Sequence, residues 1–251
     1  MPLPILLLAA AAAAPPEPAG MPDGARLGAE SACYTINLDR DGASKPIGVT
    51  WQTVRRRMLD DRYVLEVVVH QSVNNGAVDM KDEFTLDAST LGPLRLVNYR
   101  QGKVHVRLDY AQDRIRGERF AADGRRLKLD IALPGPVWDG NLYGLTFAAL
   151  PLAEGATFKL PYWQYDKGFG EFTVQVVGSE QVATPDGPVD AWVLDAGATP
   201  GTRMTYLIGK ASHRELGYRA GPGSQTLGGD CTALQTADAA LPAKAKAEPV
   251  K

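Results

Sequence analysis

The side chains that most often carry out catalysis or bind metals are few in this chain and far apart. The three histidines are His70, His105 and His213, and none shares a metal-ligand spacing with a cysteine or carboxylate. Segment 221–225 has its glycines only before Ser224, so it is not the Gly-x-Ser-x-Gly elbow of a serine hydrolase, and we interpret it as a loop. The sequence therefore predicts no catalytic residues, no metal and no cofactor, and we expect a protein that is not an enzyme.

Two pairs of adjacent acids are the next candidates for chemistry. Asp60-Asp61 and Asp82-Glu83 flank predicted strands, in which neighbouring residues point to opposite faces. The two carboxyls of a pair are then badly placed to act together as general acid and base. We interpret both pairs as solvated ends of turns.

The segment from Leu91 to about Trp192 alternates apolar and polar residues and is broken by Gly/Pro turns. Over 103–110, for example, Val, Val, Leu and Tyr alternate with Lys, His, Arg and Asp. A period of two is typical of strands with one buried and one solvated face. Turns such as Asn74-Asn75-Gly76 indicate hairpins. We predict a mainly all-β fold, a curled antiparallel sheet or open half-barrel with one short covering helix.

That helix follows a break in the strands. Pro134-Gly135-Pro136 ends a strand, because proline cannot donate a hydrogen bond to the ladder. Segment 141–150 then places Leu142 and Leu145 on one face of a short helix, which Gly144 weakens. We expect the helix to plug or cover one end of the curled sheet.

Large side chains around this break are the candidates for a binding surface. Such residues either pack in the core or line a concave ligand surface and its rim. The candidate ligand-binding residues are Trp138, Leu142, Leu145, Tyr162 and Trp163.

Length and charge limit the function further. With 251 residues, 45% of them hydrophobic, the chain is long enough for a single β-rich domain, which we place at 25–236. A formal net charge of −2 gives no excess of positive charge for a nucleic-acid backbone to attract. We expect a monomer that does not bind nucleic acid.

The two ends of the chain differ in composition from the rest. Residues 5–14 form an apolar run about as long as the core of a secretory signal and too short to span a membrane. We predict a signal peptide and linker over 1–24, the alternative being an Ala-rich leader, and a disordered tail over 237–251. We therefore expect a periplasmic or otherwise exported protein without an integral membrane segment in its mature chain.

The two cysteines, Cys33 and Cys231, bracket the predicted domain. In an oxidising compartment, we expect them to form a disulfide that joins the first and last strands. The alternative is two unrelated buried thiols.

Three stretches of the chain resemble signatures of a bacterial family known as domain of unknown function 3108. They lie at 132–140, where the sequence reads ALPGPVWDG, at 149–155, where it reads ALPLAEG, and at 174–192. The resemblance spans about Leu86 to Tyr218. It implies an exported β-rich protein related in shape to the LolA-like half-barrel lipoprotein carriers, and it brings no catalytic residues.

Two hypotheses of function follow. In the first, the curled sheet encloses an apolar cavity that holds a lipid or a hydrophobic segment of another protein. In the second, the core is filled by the protein's own side chains, and the chain is a structural or interaction protein of the cell envelope.

Overall fold

The computed structural model describes residues 20–40, 42–121 and 123–240. Most of the predicted signal peptide therefore lies outside the described residues, as does the chain beyond Ala240. Eight strands come first: Glu30–Arg40 (β1), Ala43–Leu59 (β2), Arg62–Val73 (β3), Val78–Asp87 (β4), Pro93–Arg100 (β5), Lys103–Tyr110 (β6), Arg114–Phe120 (β7) and Arg126–Ala132 (β8). The remaining elements are Trp138–Asp139 (β9), Tyr143–Ala148 (α1), Thr157–Gln164 (β10), Gly168–Thr184 (β11), Gly187–Gly197 (β12), Met204–Gly209 (β13), Glu215–Ala220 (β14), Gly223–Leu227 (β15) and Thr232–Ala240 (α2).

The fifteen described strands form one sheet made of two meanders. Strands β1 to β8 pair in sequence order, β10 to β15 do the same, and β1 joins β15 at the centre. The pairs are antiparallel except for β9, which pairs parallel with β10. The interpretation of segment 221–225 as a loop is wrong from Gly223 onwards: Gly221 and Pro222 form a turn, but Gly223–Leu227 is the strand that connects the two meanders.

The sheet is curled, as predicted. Tyr110 on β6 and Asp139 on β9 lie near opposite ends of the strand order, yet the Tyr110 hydroxyl donates a 2.9 Å hydrogen bond to Asp139 Oδ2. The rings of His105 on β6 and Tyr165, just after β10, meet edge to face with centroids 6.0 Å apart. Tight turns support the meander: at Asp60 and Asp61 φ is +46° and +63°, as a type I′ hairpin requires.

Helix α1 lies inside the curl and fills one end of it. Phe147, Ala148 and Leu150 belong to the main buried cluster, together with inward-facing residues of both meanders. The helix covers Tyr143–Ala148 and is thus shorter than the predicted 141–150. Its first turn has no side-chain cap, because the N-cap residue is Leu142, whose side chain has no acceptor; Asp139 accepts from the backbone N–H of Asn141 at 2.8 Å, before the helix begins.

The second helix, α2, lies on the outer face of the sheet and was not predicted. Cys33, Trp51, His70 and Lys81 are cross-strand neighbours in one row over β1 to β4. Three strand spacings of about 4.8 Å make this row about as long as a nine-residue helix. The helix lies along the row, fixed to β1 at one end by the disulfide Cys33–Cys231, whose S–S distance is 2.07 Å. The predicted pairing of Cys33 with Cys231 is thereby confirmed, but the bond does not join the first and last strands, because Cys231 lies between β15 and α2.

The far end of α2 is anchored by Asp238. Its Oδ1 lies 3.1 Å from His70 Nδ1 and 3.5 Å from Lys81 Nζ. The helix extends through residues 237–240, which the sequence predicts to be the start of a disordered tail. At the other terminus, residues 20–24 fall in the predicted linker, but the N–H groups of Asp23 and Gly24 donate to the carbonyls of Ala149 and Ser89.

Candidate ligand cavity inside the curled sheet

One end of the curl is tightly packed. Trp138, Tyr162 and Trp163, three of the predicted binding residues, are buried there, and the void beside Trp138 and Tyr162 measures only about 10 Å³. The indole N–H of Trp138 donates to the carbonyl of Thr90 at 3.1 Å, and the Tyr162 ring stacks on Phe172 with centroids 4.1 Å apart. These side chains fill the interior at this end.

Beyond α1, the curl encloses a partly open cavity of about 340 Å³. The other two predicted binding residues, Leu142 and Leu145, lie in its wall. About half of the wall is apolar and half is polar. The main apolar contributors are Val69, Met80, Leu142, Leu145, Met204 and Tyr206. Polar side chains that line the cavity include Thr50, Gln52, Gln71, Asp82, Glu215 and Gln225.

Glu215 faces the cavity because of a bulge in β14. Leu207 pairs with Gly217 and Ile208 with Glu215, so that Leu216 has no partner in the ladder. In a regular strand, Glu215 and Tyr218 are three residues apart and would point to opposite faces. The extra residue brings both side chains to the inner face of the sheet. Gly217 allows this geometry: its φ is +137°, and a Cβ there would overlap the carbonyl oxygen of Gln225.

The carboxyl of Glu215 is buried without a partner. Its residue is 7% exposed, and within the described part of the chain no hydrogen bond or ion pair reaches its side chain. Burial, with a further contribution from the charge of Glu30, raises the pKa of Glu215 from 4.5 to about 7. The carboxyl lies directly against Gly144 of α1, where any Cβ would overlap it. The glycine that weakens this helix thus makes room for an acid.

Asp82 brings a second carboxyl to the cavity. Its interpretation as a solvated turn residue is wrong, because it lies within β4, is 6% exposed and faces inward. Burial raises its pKa from 3.8 to about 7, although the hydrogen bond that Asn98 Nδ2 donates at 2.7 Å opposes the shift. The inner face carries Gln52, Val69, Asp82 and Asn98 as one cross-strand row over β2 to β5.

Gln52 is a buried polar group of this wall that lacks a full set of partners. It is 5% exposed, and its Nε2 has no hydrogen-bond partner among the described residues. Nearby Thr50 differs, since its hydroxyl donates to Gln225 Oε1 at 2.8 Å. A buried amide N–H without an acceptor costs free energy, so the position calls for an acceptor inside the cavity.

The segment that leads into α1 is held in place by two buried polar groups. Asp139 accepts from Tyr110 on β6 and from Asn141, and burial raises its pKa to about 6. Gln164 at the end of β10 donates from Nε2 to the carbonyl of Gly140 and to the Tyr143 hydroxyl at 2.7 Å. Leu142 and Tyr143 are thereby fixed at the cavity wall.

The three histidines have separate structural environments. His70 contacts Asp238 of α2 and Asp79, at 3.1 and 3.3 Å, on the outer face, while the ring of His213 lies 3.0 Å from the carbonyl of Ala148. Over the described ranges, no group of three or more His, Cys, Asp and Glu side chains lies close enough together to hold a metal ion. Nor does any helix in these ranges have the length and apolar character that crossing a membrane requires.

Comparison with known proteins gives the fold and the family. A crystal structure of a beta-barrel-like protein of domain of unknown function DUF1849 from Brucella abortus is similar, with a TM-score of 0.51 and 11% identity. The likeness covers 81% of this chain and 97% of that one, and at this identity it shows the fold alone. No curated protein matches the chain. The model of the family described as protein of unknown function (DUF3108) matches residues 33–221, three quarters of the sequence, so the chain belongs to that family.

Proposed function

We propose that the protein is an exported, non-catalytic binding module that holds one small amphipathic ligand in the cavity of its curled sheet. The observation that carries this proposal is the cavity of about 340 Å³, whose wall combines apolar side chains with buried polar groups. Small-molecule sites in proteins measure about 300–1,000 Å³ and are concave, with a few polar groups that orient the ligand. The volume suits one small molecule better than a protein segment.

The two halves of the wall match the two halves of such a ligand. Val69, Met80 and Met204 offer an apolar surface, and burial of a hydrocarbon chain against it contributes about 25 cal/mol per Å² before ordering costs. Gln52 and Glu215 offer polar groups that the protein itself leaves without partners. A wholly apolar ligand would leave both groups unsatisfied.

Export is part of the proposal for two reasons. The apolar run at 5–14 suits a secretory signal, and the disulfide Cys33–Cys231 is a bond that oxidising compartments maintain.

The second candidate is a structural or interaction protein of the cell envelope. Its support is the packed end of the curl, where the void beside Trp138 measures only about 10 Å³. In that case the polar cavity holds only water, and an exposed edge or loop carries the function.

A dye titration tests the proposal. N-phenyl-1-naphthylamine, a neutral fluorescent amphiphile, is titrated into the folded protein, and we expect saturable binding at one site. Val69→Trp fills the cavity and should weaken binding by at least about tenfold. The matched control is Val177→Trp, on a strand residue that is 54% exposed and away from the cavity. Absence of saturable binding, or equal loss in both variants, would favour the structural alternative.

A further inference from the structure

The interior wall of the cavity carries two acids, and in the described chain no arginine or lysine lines it beside them. Two carboxyls, Asp82 and Glu215, lie in its buried wall. Asp166 and Lys167 are exposed at the mouth, and Lys167 is the only lysine or arginine among the described residues that line the cavity. An anionic head group deep in the cavity would face two acids, and like charges at a buried site repel strongly.

A second observation, independent of the acids, indicates that a ligand completes this wall. Gln52 is buried and lines the cavity from β2, and its Nε2 finds no acceptor in the described chain. Glu215 needs a donor, whereas Gln52 needs an acceptor. A head group that offers both a cationic donor and an oxygen satisfies the two sides together.

We propose that the cavity recognises an amphiphile with a protonated amine in its head group, which donates to the Glu215 carboxylate while its apolar chain lies against Val69, Met80 and Met204. The inference rests on the proposed function and names the chemical class of its ligand. A charge-assisted hydrogen bond in a largely water-excluded wall is stronger than a neutral one. Fatty acids and other carboxylate amphiphiles are the disfavoured class.

The proposal makes binding depend on pH. Below about pH 7 the Glu215 carboxyl is protonated and neutral, and above it the carboxylate attracts the ammonium, whose own pKa lies near 10. Affinity for the amine should therefore rise between pH 5.5 and pH 8. The titratable and charged groups around Glu215 are Glu30, which forms a 3.2 Å ion pair with Arg214, and the hydroxyls of Tyr34, Tyr206 and Tyr218. These phenols stay neutral in this range, since burial raises the pKa of each.

The test is competition against bound N-phenyl-1-naphthylamine by decylamine, 1-decanol and decanoate, which share a chain length and differ in charge. At pH 8, we expect decylamine to displace the dye at a concentration at least about tenfold below that of 1-decanol. Decanoate should be the weakest competitor. At pH 5.5 the advantage of the amine over the alcohol should largely disappear.

Two variants test whether the preference for the amine depends on Glu215. Glu215→Gln should abolish the advantage of decylamine while dye binding persists, and Glu154→Gln, at an exposed glutamate, should leave it intact. Thermal unfolding of both variants checks that they fold. Equal displacement by the three amphiphiles, or an amine preference lost in Asp82→Asn but kept in Glu215→Gln, would overturn the proposal. Failure of the dye to bind at all would instead refute the proposed function, so the two failures are distinguishable.

Discussion

Replacement of Glu215 by glutamine should make the protein more stable at alkaline pH. The carboxyl keeps its proton up to about pH 7 in the folded state, whereas in the unfolded chain it releases the proton near pH 4.5. Between these values the native state binds more protons than the unfolded state, so the free energy of unfolding falls as pH rises. Below about pH 4.5 this destabilisation is absent, and above about pH 7 it is fully present.

The magnitude follows from the two pKa values. The difference between 4.5 and about 7 corresponds to about 3 kcal/mol of destabilisation at pH 8. Water in the partly open cavity reduces this value, which makes it an upper limit. The glutamine amide has nearly the same shape and no charge to desolvate, so Glu215→Gln should recover most of this free energy.

Urea unfolding at pH 4.5, 6 and 8 measures the effect. The wild-type and variant curves should have similar midpoints at pH 4.5, and the variant should be more stable at pH 8 by as much as about 3 kcal/mol. Glu154→Gln is the control, because Glu154 is exposed. Parallel pH profiles for wild type and Glu215→Gln would refute the reasoning. A stabilising replacement would also fit a residue that is present for binding rather than for stability.

Three other outcomes can be measured. Replacing Cys33 and Cys231 by serine opens a loop of sequence separation 198, which should lower the free energy of unfolding by at most about 5 kcal/mol. A wild-type unfolding midpoint that does not change when reductant is added would contradict this. Asp238→Ala removes the contact with His70 and should raise amide hydrogen exchange in α2 alone, because the disulfide still holds the start of the helix. Uniform or unchanged exchange would count against that anchor. Phe147→Ala should lower the free energy of unfolding in urea by about 3–5 kcal/mol, since the ring is fully buried. A loss below about 1 kcal/mol would mean that neighbouring side chains move in to fill the space of the ring.

The predicted elements succeed where a local rule governs the chain. Alternation over 103–110 gives β6 with the predicted bounds, and the break at Pro134-Gly135-Pro136 ends the first meander. Each depends only on steric and hydrogen-bonding properties of neighbouring residues. Segment 221–225 shows the limit of such rules. Glycines near Ser224 suggest a loop, but pairing with β1 makes the segment a strand from Gly223 onwards.

The positions of the candidate site residues were predicted less well, for a similar reason. Leu142 and Leu145 reach the cavity, whereas Trp138 and Trp163 pack at the filled end. Large apolar residues can either fill a core or line a cavity. Only the position of α1 in the curl decides which of the two roles each residue has. The polar residues of the cavity wall were harder to recognise in the sequence. From the sequence, Asp82 is interpreted as a residue at the end of a turn, because the residues before it do not show that the strand already begins at Val78.

By itself the sequence determined the period of the strands, their turns, the break before α1 and the cysteines at the two ends of the domain. These properties follow from side-chain alternation, proline geometry and residue count, which act over a few neighbours. The tertiary structure decided how the two meanders join, which end of the curl is filled and which acids face inward. Glu215 illustrates the physical reason: one unpaired residue, Leu216, reverses its face. Such a bulge depends on the register between β13 and β14, and register is a property of the paired strands rather than of either segment alone.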